Sequence, residues 1–127
     1  MVTRVKAECT QKCPIESTLS YIRPKWTLEI LRDIFFGHHR FSEFLSLNKE
    51  LSSKVLAQRL KDLELNKLIV KKVISSTPMV VEYHLTAKGL DLNKIVYEIA
   101  QFGYAHDKIG TAGTCPVEVK KTLRIKV

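Results

Sequence analysis

The sequence predicts an α+β fold, mostly α: a winged helix-turn-helix with an additional helix at each end. Three observations predict it. Apolar residues recur at helical spacing as far as about Asn66, give way to a β-branched, alternating stretch from Ile69 to Leu85, and return to helical spacing up to about His106. Between Phe41 and Asn66 two helical segments are separated by a turn of about four residues, the helix-turn-helix pattern. The alternating stretch follows at once and is folded back by a turn cluster, which puts a hairpin where a wing belongs.

The elements follow in order. After Cys13, Pro14 suits the first turn of a helix and Glu16 complements its dipole, while Ile15, Leu19 and Ile22 fall at i, i+4 and i+7. Arg23-Pro24 closes this helix. A second is predicted from about Lys25 to Phe36, with Trp26, Ile30 and Ile34 in one stripe, Leu31 and Phe35 beside it, and Gly37 as a left-handed stop. A stripe this wide belongs at the centre of the core. A short helix over Phe41–Leu47 carries Phe41, Phe44 and Leu45, and Asn48 to Leu51 break it. Ser52 reads as the N-cap of a longer helix ending near Asn66. Ile69 to Ile74 and Val80 to Leu85 are the two strands, joined by Ser75-Ser76-Thr77-Pro78. Thr86 caps one long last helix to about His106, with Leu92, Ile95, Ile99 and Phe102 as its main stripe and Val96, Ala100 and Gly103 as a second.

Composition bounds the function. The 127 residues are 45% apolar and 27% charged, the mixture of one globular domain. Residues 1–12 are polar and expected to fray, 13–107 form the domain, and 108–127 form a basic tail with Lys120, Lys121, Arg124 and Lys126. The N-terminus has no signal-like apolar core and no stretch is long enough to span a bilayer, so a cytoplasmic protein without a membrane partner is expected. Lys and Arg number 21 against 13 Asp and Glu, a net charge of +8, and residues 52–89 alone hold 7 basic and 3 acidic groups. Half of the excess thus sits in the segment with the second helix of the pair and the hairpin, which points to a polyanion such as nucleic acid. No Ser/His/Asp or Cys/His constellation, phosphate-cradling glycine loop or carboxylate pair is apparent, so no enzyme and no cofactor are expected.

The helix opening at Ser52 has the two faces that major-groove binding needs. Leu56, Leu60 and Leu63 fall within about 60° of one another at 100° per residue, and Lys54, Gln58 and Lys61 lie opposite. Gln58 suits a base edge, Lys54 a guanine or a phosphate, and Ser52 and Ser53 at the helix start a phosphate. The competing reading of that polar side is a solvated face. Arg59, at the edge of the apolar stripe, suits a phosphate or a structural contact, and Arg40 the DNA backbone. In the hairpin Lys71 and Lys72 point to opposite faces, so at most one faces a duplex, and Ser76 and Thr77 stand at the tip. The competing reading is an edge protected by lysines.

Several ordered segments together resemble the HxlR-type winged helix-turn-helix regulators. They are Cys13-Pro14-Ile15-Glu16, Lys25-Trp26, Arg40-Phe41-Ser42-Glu43-Phe44, Leu51-Ser52, the run Leu56-Ala57-Gln58-Arg59-Leu60-Lys61-Asp62-Leu63-Glu64, and Val81-Glu82-Tyr83-His84-Leu85-Thr86-Ala87-Lys88-Gly89. The resemblance covers roughly Cys13 to Tyr104. Two departures bear on local turn geometry: Arg23-Pro24 and Glu50-Leu51 stand where the family usually has small, glycine-type residues. The resemblance implies double-stranded DNA binding as a homodimer, control of nearby genes in either direction, and in some members a thiol-based redox switch. The surplus apolar surface of the last helix agrees with a dimer, for which Ile15, Leu19, Ile22, Leu92, Ile95, Ile99 and Phe102 are the candidate contacts and an inverted repeat the matching operator. The alternative is that these helices complete the protomer core. Cys13 occupies the family's sensor position, with Cys9 or Cys115 as a resolving partner; the alternative is a structural cysteine in a regulator with another, unidentified effector. Cys9, Cys13, Cys115 and His106 match no standard zinc spacing, and no metal site is predicted.

Overall fold

The computed structural model describes residues 13–107. The expectations for the N-terminal segment, the basic tail, Cys9 and Cys115 lie outside them. The chain runs α1 (Pro14–Ile22), α2 (Thr27–Phe35), α3 (Phe41–Leu47), α4 (Ser53–Leu65), β1 (Ile69–Ser76), β2 (Met79–Leu85), α5 (Ala87–Leu90) and α6 (Asn93–His106). This is the winged helix-turn-helix with a helix added at each end. Ile30, Leu31, Phe44, Leu56, Leu63, Leu68 and Ile69 are almost fully buried and bring α2, α3, α4 and the base of the hairpin into one core. Each such side chain contributes about 1.5–3 kcal/mol by leaving water.

Both ends of α2 are sharply made. Its start is two residues later than expected, because Trp26 takes the left-handed region at φ 79° and a turn closes from the Thr27 N–H to the Pro24 carbonyl (3.2 Å). The Arg23-Pro24 departure therefore falls in a turn whose left-handed residue is a tryptophan, with its ring packed on the core. Its end is as expected. Gly37 sits at φ 93°, its N–H donates to Ile34 O and the His38 N–H reaches back to Asp33 O at 2.9 Å, a Schellman closure. The same closure ends α4, with Lys67 at φ 60° and Leu68 donating to Leu63 O.

One stretch of buried polar chemistry fixes the helix-turn-helix on α2. Asp33 and Asn48 are 3% and 6% exposed. The Asn48 amide donates to Asp33 Oδ2 (2.8 Å) and to Phe44 O (2.9 Å), while Arg32 donates to Asp33 Oδ1 and Asn48 Oδ1, both at 3.0 Å. Leu51 then donates to Asn48 O and is itself buried, so the turn forms without the glycine usual there.

The strands are antiparallel, with Ile69 opposite Leu85 and Lys71 opposite Tyr83, and the pairing is irregular between Val73 and Ser75. They run further than expected, through Ser75 and Ser76, leaving Thr77-Pro78 (a cis peptide) as the turn. The expected single last helix is two. Leu92 donates to Gly89 O, three residues back, and α6 begins only after it, so the axis breaks at Asp91-Leu92. Leu92 is buried, and that anchorage holds the break.

Two glycines are needed for different reasons. Gly37 faces open space and is constrained only by its φ, whereas a Cβ on Gly89 would fall inside contact distance of the Leu68 carbonyl oxygen. Gly37→Ala is therefore expected to cost about 1 kcal/mol, and Gly89→Ala about 2–3 kcal/mol through displacement of α5 from the Leu68 backbone. Urea unfolding midpoints test this; equal losses at the two positions would contradict it.

Candidate nucleic-acid interface

The α4 helix presents the two faces read from its spacing. Leu56, Leu60 and Leu63 are at most 2% exposed. Ser53, Lys54, Gln58 and Lys61 are exposed on the other side. Ser52 is the N-cap: its Oγ accepts from the Val55 N–H at 3.1 Å, so the hydroxyl serves the helix while its own proton remains for an outward acceptor. The Gln58 amide donates to Asp62 Oδ1 at 2.9 Å, one turn on. That bond fixes the side chain along the helix and leaves its carbonyl oxygen and second N–H for a ligand. Lys54 and Lys61 have no ion-pair partner among the described residues.

Arg59 is a correction. Its guanidinium turns inward, donating from Nε to the Lys25 carbonyl at 2.8 Å and lying 3.7 Å from Asp62 Oδ2. With its side chain 23% exposed it clamps α4 to the α1–α2 turn, the structural half of the two roles left open. Arg40 is half engaged, 3.7 Å from Glu82 Oε2 at the start of α3.

The wing separates its two lysines. Lys71 shares a strand face with Tyr83 and Leu85, which pack on the core, and the Tyr83 hydroxyl is pushed above its ordinary value by burial and by the negative charge of Glu64 on α4. Lys71 therefore stands on the α4 side. Lys72, opposite Glu82, stands on the other face. Ser76 and Thr77 are exposed at the tip, and so are Val73, Ile74 and Met79 at 59%, 55% and 67%; the sequence reading, which stressed the polar residues, missed that apolar rim.

The seven candidate dimer residues divide. Ile22 and Leu92 are each 8% exposed and belong to the protomer core, which corrects their assignment. Ile95 is half-buried against the same core, while Ile15, Leu19, Ile99 and Phe102 are exposed at 70%, 39%, 48% and 68%. On α6 it is Val96, from the second stripe, that packs onto Leu28, Phe35 and Phe36, while Ile99 and Phe102 stay outside. Pro14, Ile15 and Leu19 with Ile95 and Ile99 line an almost wholly apolar groove of about 390 Å³ between α1 and α6. Cys13 caps α1 as a half-buried free thiol whose side chain makes no capping bond.

The family described as HxlR-like helix-turn-helix matches residues 21–109, which include the whole helix-turn-helix and wing. The chain belongs to the HxlR-like helix-turn-helix family. The uncharacterized HTH-type transcriptional regulator YvaP of Bacillus subtilis is 36% identical over 94 residues, which are 73% of this chain and 87% of that protein. The redox regulator HypR in its oxidized form superposes with a TM-score of 0.71 at 30% identity, over 76% of this chain and 100% of HypR. The reduced form of the transcriptional regulator YodB from B. subtilis does so with a TM-score of 0.66 at 33% identity, over 79% of this chain and 99% of YodB. This HxlR-like chain is accordingly a DNA-binding transcriptional regulator, and the outward face of α4 is where such a fold meets its ligand.

One electrostatic consequence follows at the wing. Glu82 accepts a hydrogen bond from His84 Nε2 at 2.9 Å, which with the nearby Arg40 charge holds its carboxyl below the usual value of 4.5. A lowered folded-state value stabilises the protein fully above the unfolded value, and the gain is lost as pH falls through the folded one. Glu82→Gln should thus lower the thermal midpoint at about pH 6, with the gap to wild type closing towards about pH 3. A gap that stays constant across that range would refute the assignment.

Proposed function

We propose that the chain binds an inverted-repeat operator as a homodimer, with α4 of each protomer in the major groove and Gln58 as the base reader. The supporting observation is the outward side of α4. Lys54, Gln58 and Lys61 occupy successive turns there, no acidic side chain among the described residues pairs with the two lysines, and the helix is pinned from behind by three buried leucines and the Arg59 clamp. Lys54, Lys61, Ser53 and the wing's Lys71, Ser76 and Thr77 are assigned to phosphates, which position the protein without reading sequence. Ile15, Leu19 and Ile99, which line the apolar groove, and the exposed Phe102 next to Ile99 on α6 are assigned to the two-fold interface, because so much apolar surface is costly to leave in water. Half-sites should then lie about 10–10.5 base pairs apart, or a multiple of that.

The test is binding of fluorescent operator and scrambled duplexes across salt. Gln58→Ala should lose about 1–3 kcal/mol on the operator and little on scrambled DNA. Lys61→Gln should weaken both alike and reduce the salt slope by about one. Equal loss on both duplexes for Gln58→Ala would instead favour a module that binds DNA by charge alone. Phe102→Asp should run as a monomer by light scattering; a dimer of unchanged affinity would remove α6 from the interface.

A redox input is supported by one observation, the free Cys13 thiol at the helix start, and by the likeness to a protein described as a redox regulator. In the same assay oxidant should change wild-type operator affinity and leave Cys13→Ser unaffected. Identical responses of the two proteins would exclude Cys13 as the sensor.

A further inference from the structure

A cleft of about 740 Å³ opens between the end of α2, the wing and the α5–α6 junction. It shares no lining residue with the outward face of α4 or with the α1–α6 groove. Its size is that of small-molecule sites, which span roughly 300–1,000 Å³. Its lining is of two kinds. Phe35, Phe36 and the 51% exposed Leu90 form apolar walls, and His39, His84 and Lys72 form a polar side.

The polar side is prearranged. The rings of His39 and His84 stack with centroids 4.0 Å apart and planes 18° from parallel. His39 Nδ1 is held against the Tyr83 carbonyl at 3.0 Å and His84 Nε2 against Glu82 at 2.9 Å, so both rings are fixed before a ligand arrives. Of the carboxylates beside them, Glu82 is already shared between His84 and Arg40, and Glu43 is held by His38 and the His39 backbone N–H. Lys72, directly across the strand pair from Glu82, forms no ion pair among the described residues. Lys72 thus brings a positive charge with no ion-pair partner among the described residues to a half-closed cleft where apolar walls reduce screening.

We propose that this cleft binds a small aromatic carboxylate, its ring against Phe35, Phe36 and the imidazole stack and its carboxylate on Lys72. A bare inorganic anion leaves the apolar walls unused, and a neutral hydrocarbon leaves the lysine unmatched. Such a ligand touches both wing strands, α2 and Asn93 at the first turn of α6, and so bears on the angle between the wing and the dimer helix. That consequence rests on the DNA-binding reading above; the binding itself does not.

The full chain is titrated, without DNA, with sodium 2-naphthoate while the imidazole resonances of His39 and His84 and the methyl resonances of Ile95 and Ile99 are followed by NMR. Naphthalene-2-carboxamide and inorganic phosphate serve as comparators. Naphthoate should give saturable shifts at both rings, the carboxamide should bind at least about tenfold more weakly, and phosphate should leave the rings unmoved. Lys72→Gln, a change at an exposed position, should weaken naphthoate by about tenfold or more with an unchanged thermal midpoint. The proposal is overturned by absent shifts, by phosphate acting as well as naphthoate, by undiminished affinity in Lys72→Gln, or by naphthoate shifts centred on Ile95 and Ile99 instead.

Discussion

The outward face of α4 takes its direction first from the Asp33 carboxylate buried against Asn48. Leucine burial supplies most of the attraction between α4 and the rest of the domain, but it is non-directional and tolerates sliding. The Asn48 amide has geometric demands. It must reach Asp33 Oδ2 and Phe44 O together while Arg32 bridges Asp33 and the Asn48 oxygen. A buried carboxylate left without those partners costs several kcal/mol. The α3–α4 turn is therefore locked to α2 at one end, and the Arg59 bond to the Lys25 carbonyl locks α4 to the preceding turn. Two directional contacts and one apolar stripe suffice to set the orientation of a helix.

The basic side chains divide along the same line. Arg32 and Arg59 bind the protein itself, each through a fork that reaches two acceptors, and Arg40 makes a single long approach to Glu82. Lys54, Lys61 and Lys71 are exposed and, among the described residues, have no acidic neighbour in ion-pair range. Arginine is suited to the first task because its planar donors hold geometry, and lysine to the second because a hydrated point charge meets phosphates in many positions. The net charge of +8 is thus less informative than its partition, since only the unpaired share is available to a polyanion.

What the sequence disclosed follows from the kind of signal each feature leaves. Leu56, Leu60 and Leu63, the Ser52 cap, the Gly37 stop and the alternation of Val81, Tyr83 and Leu85 are local periodicities or single-residue preferences, and all were legible. Arg59 was only half legible, because spacing gives the angle of a residue on its helix and not the direction its long side chain takes. Asn48 was read as a helix breaker, since its partner Asp33 lies fifteen residues away and leaves no mark on the local pattern. The left-handed Trp26 and Lys67 carry residues that do not advertise that conformation. The break before α6 was hidden by a stripe, Leu92 to Phe102, that continues across it at helical spacing. Leu92, buried at that break, and Ile22, buried at the end of α1, belong to the core and not to the interface.

Few joints lie between the α1–α6 groove and α4, and they are stiff. Val96 of α6 packs on Leu28, Phe35 and Phe36 of α2, α2 holds the turn through Asp33, and the turn leads directly into the Ser52 cap. On the other side Thr86 donates through Oγ1 to Lys67 O and through its N–H to Leu68 O, tying the start of α5 to the end of α4, while Lys88 donates to Asn66 O. A displacement of α6 therefore has no soft loop in which to dissipate before it reaches α4. In a dimer built on α6, a small rotation at the two-fold axis would change the separation of the two α4 helices. Because DNA fixes that separation through its helical repeat, a rotation of this kind alters affinity without touching a single base contact.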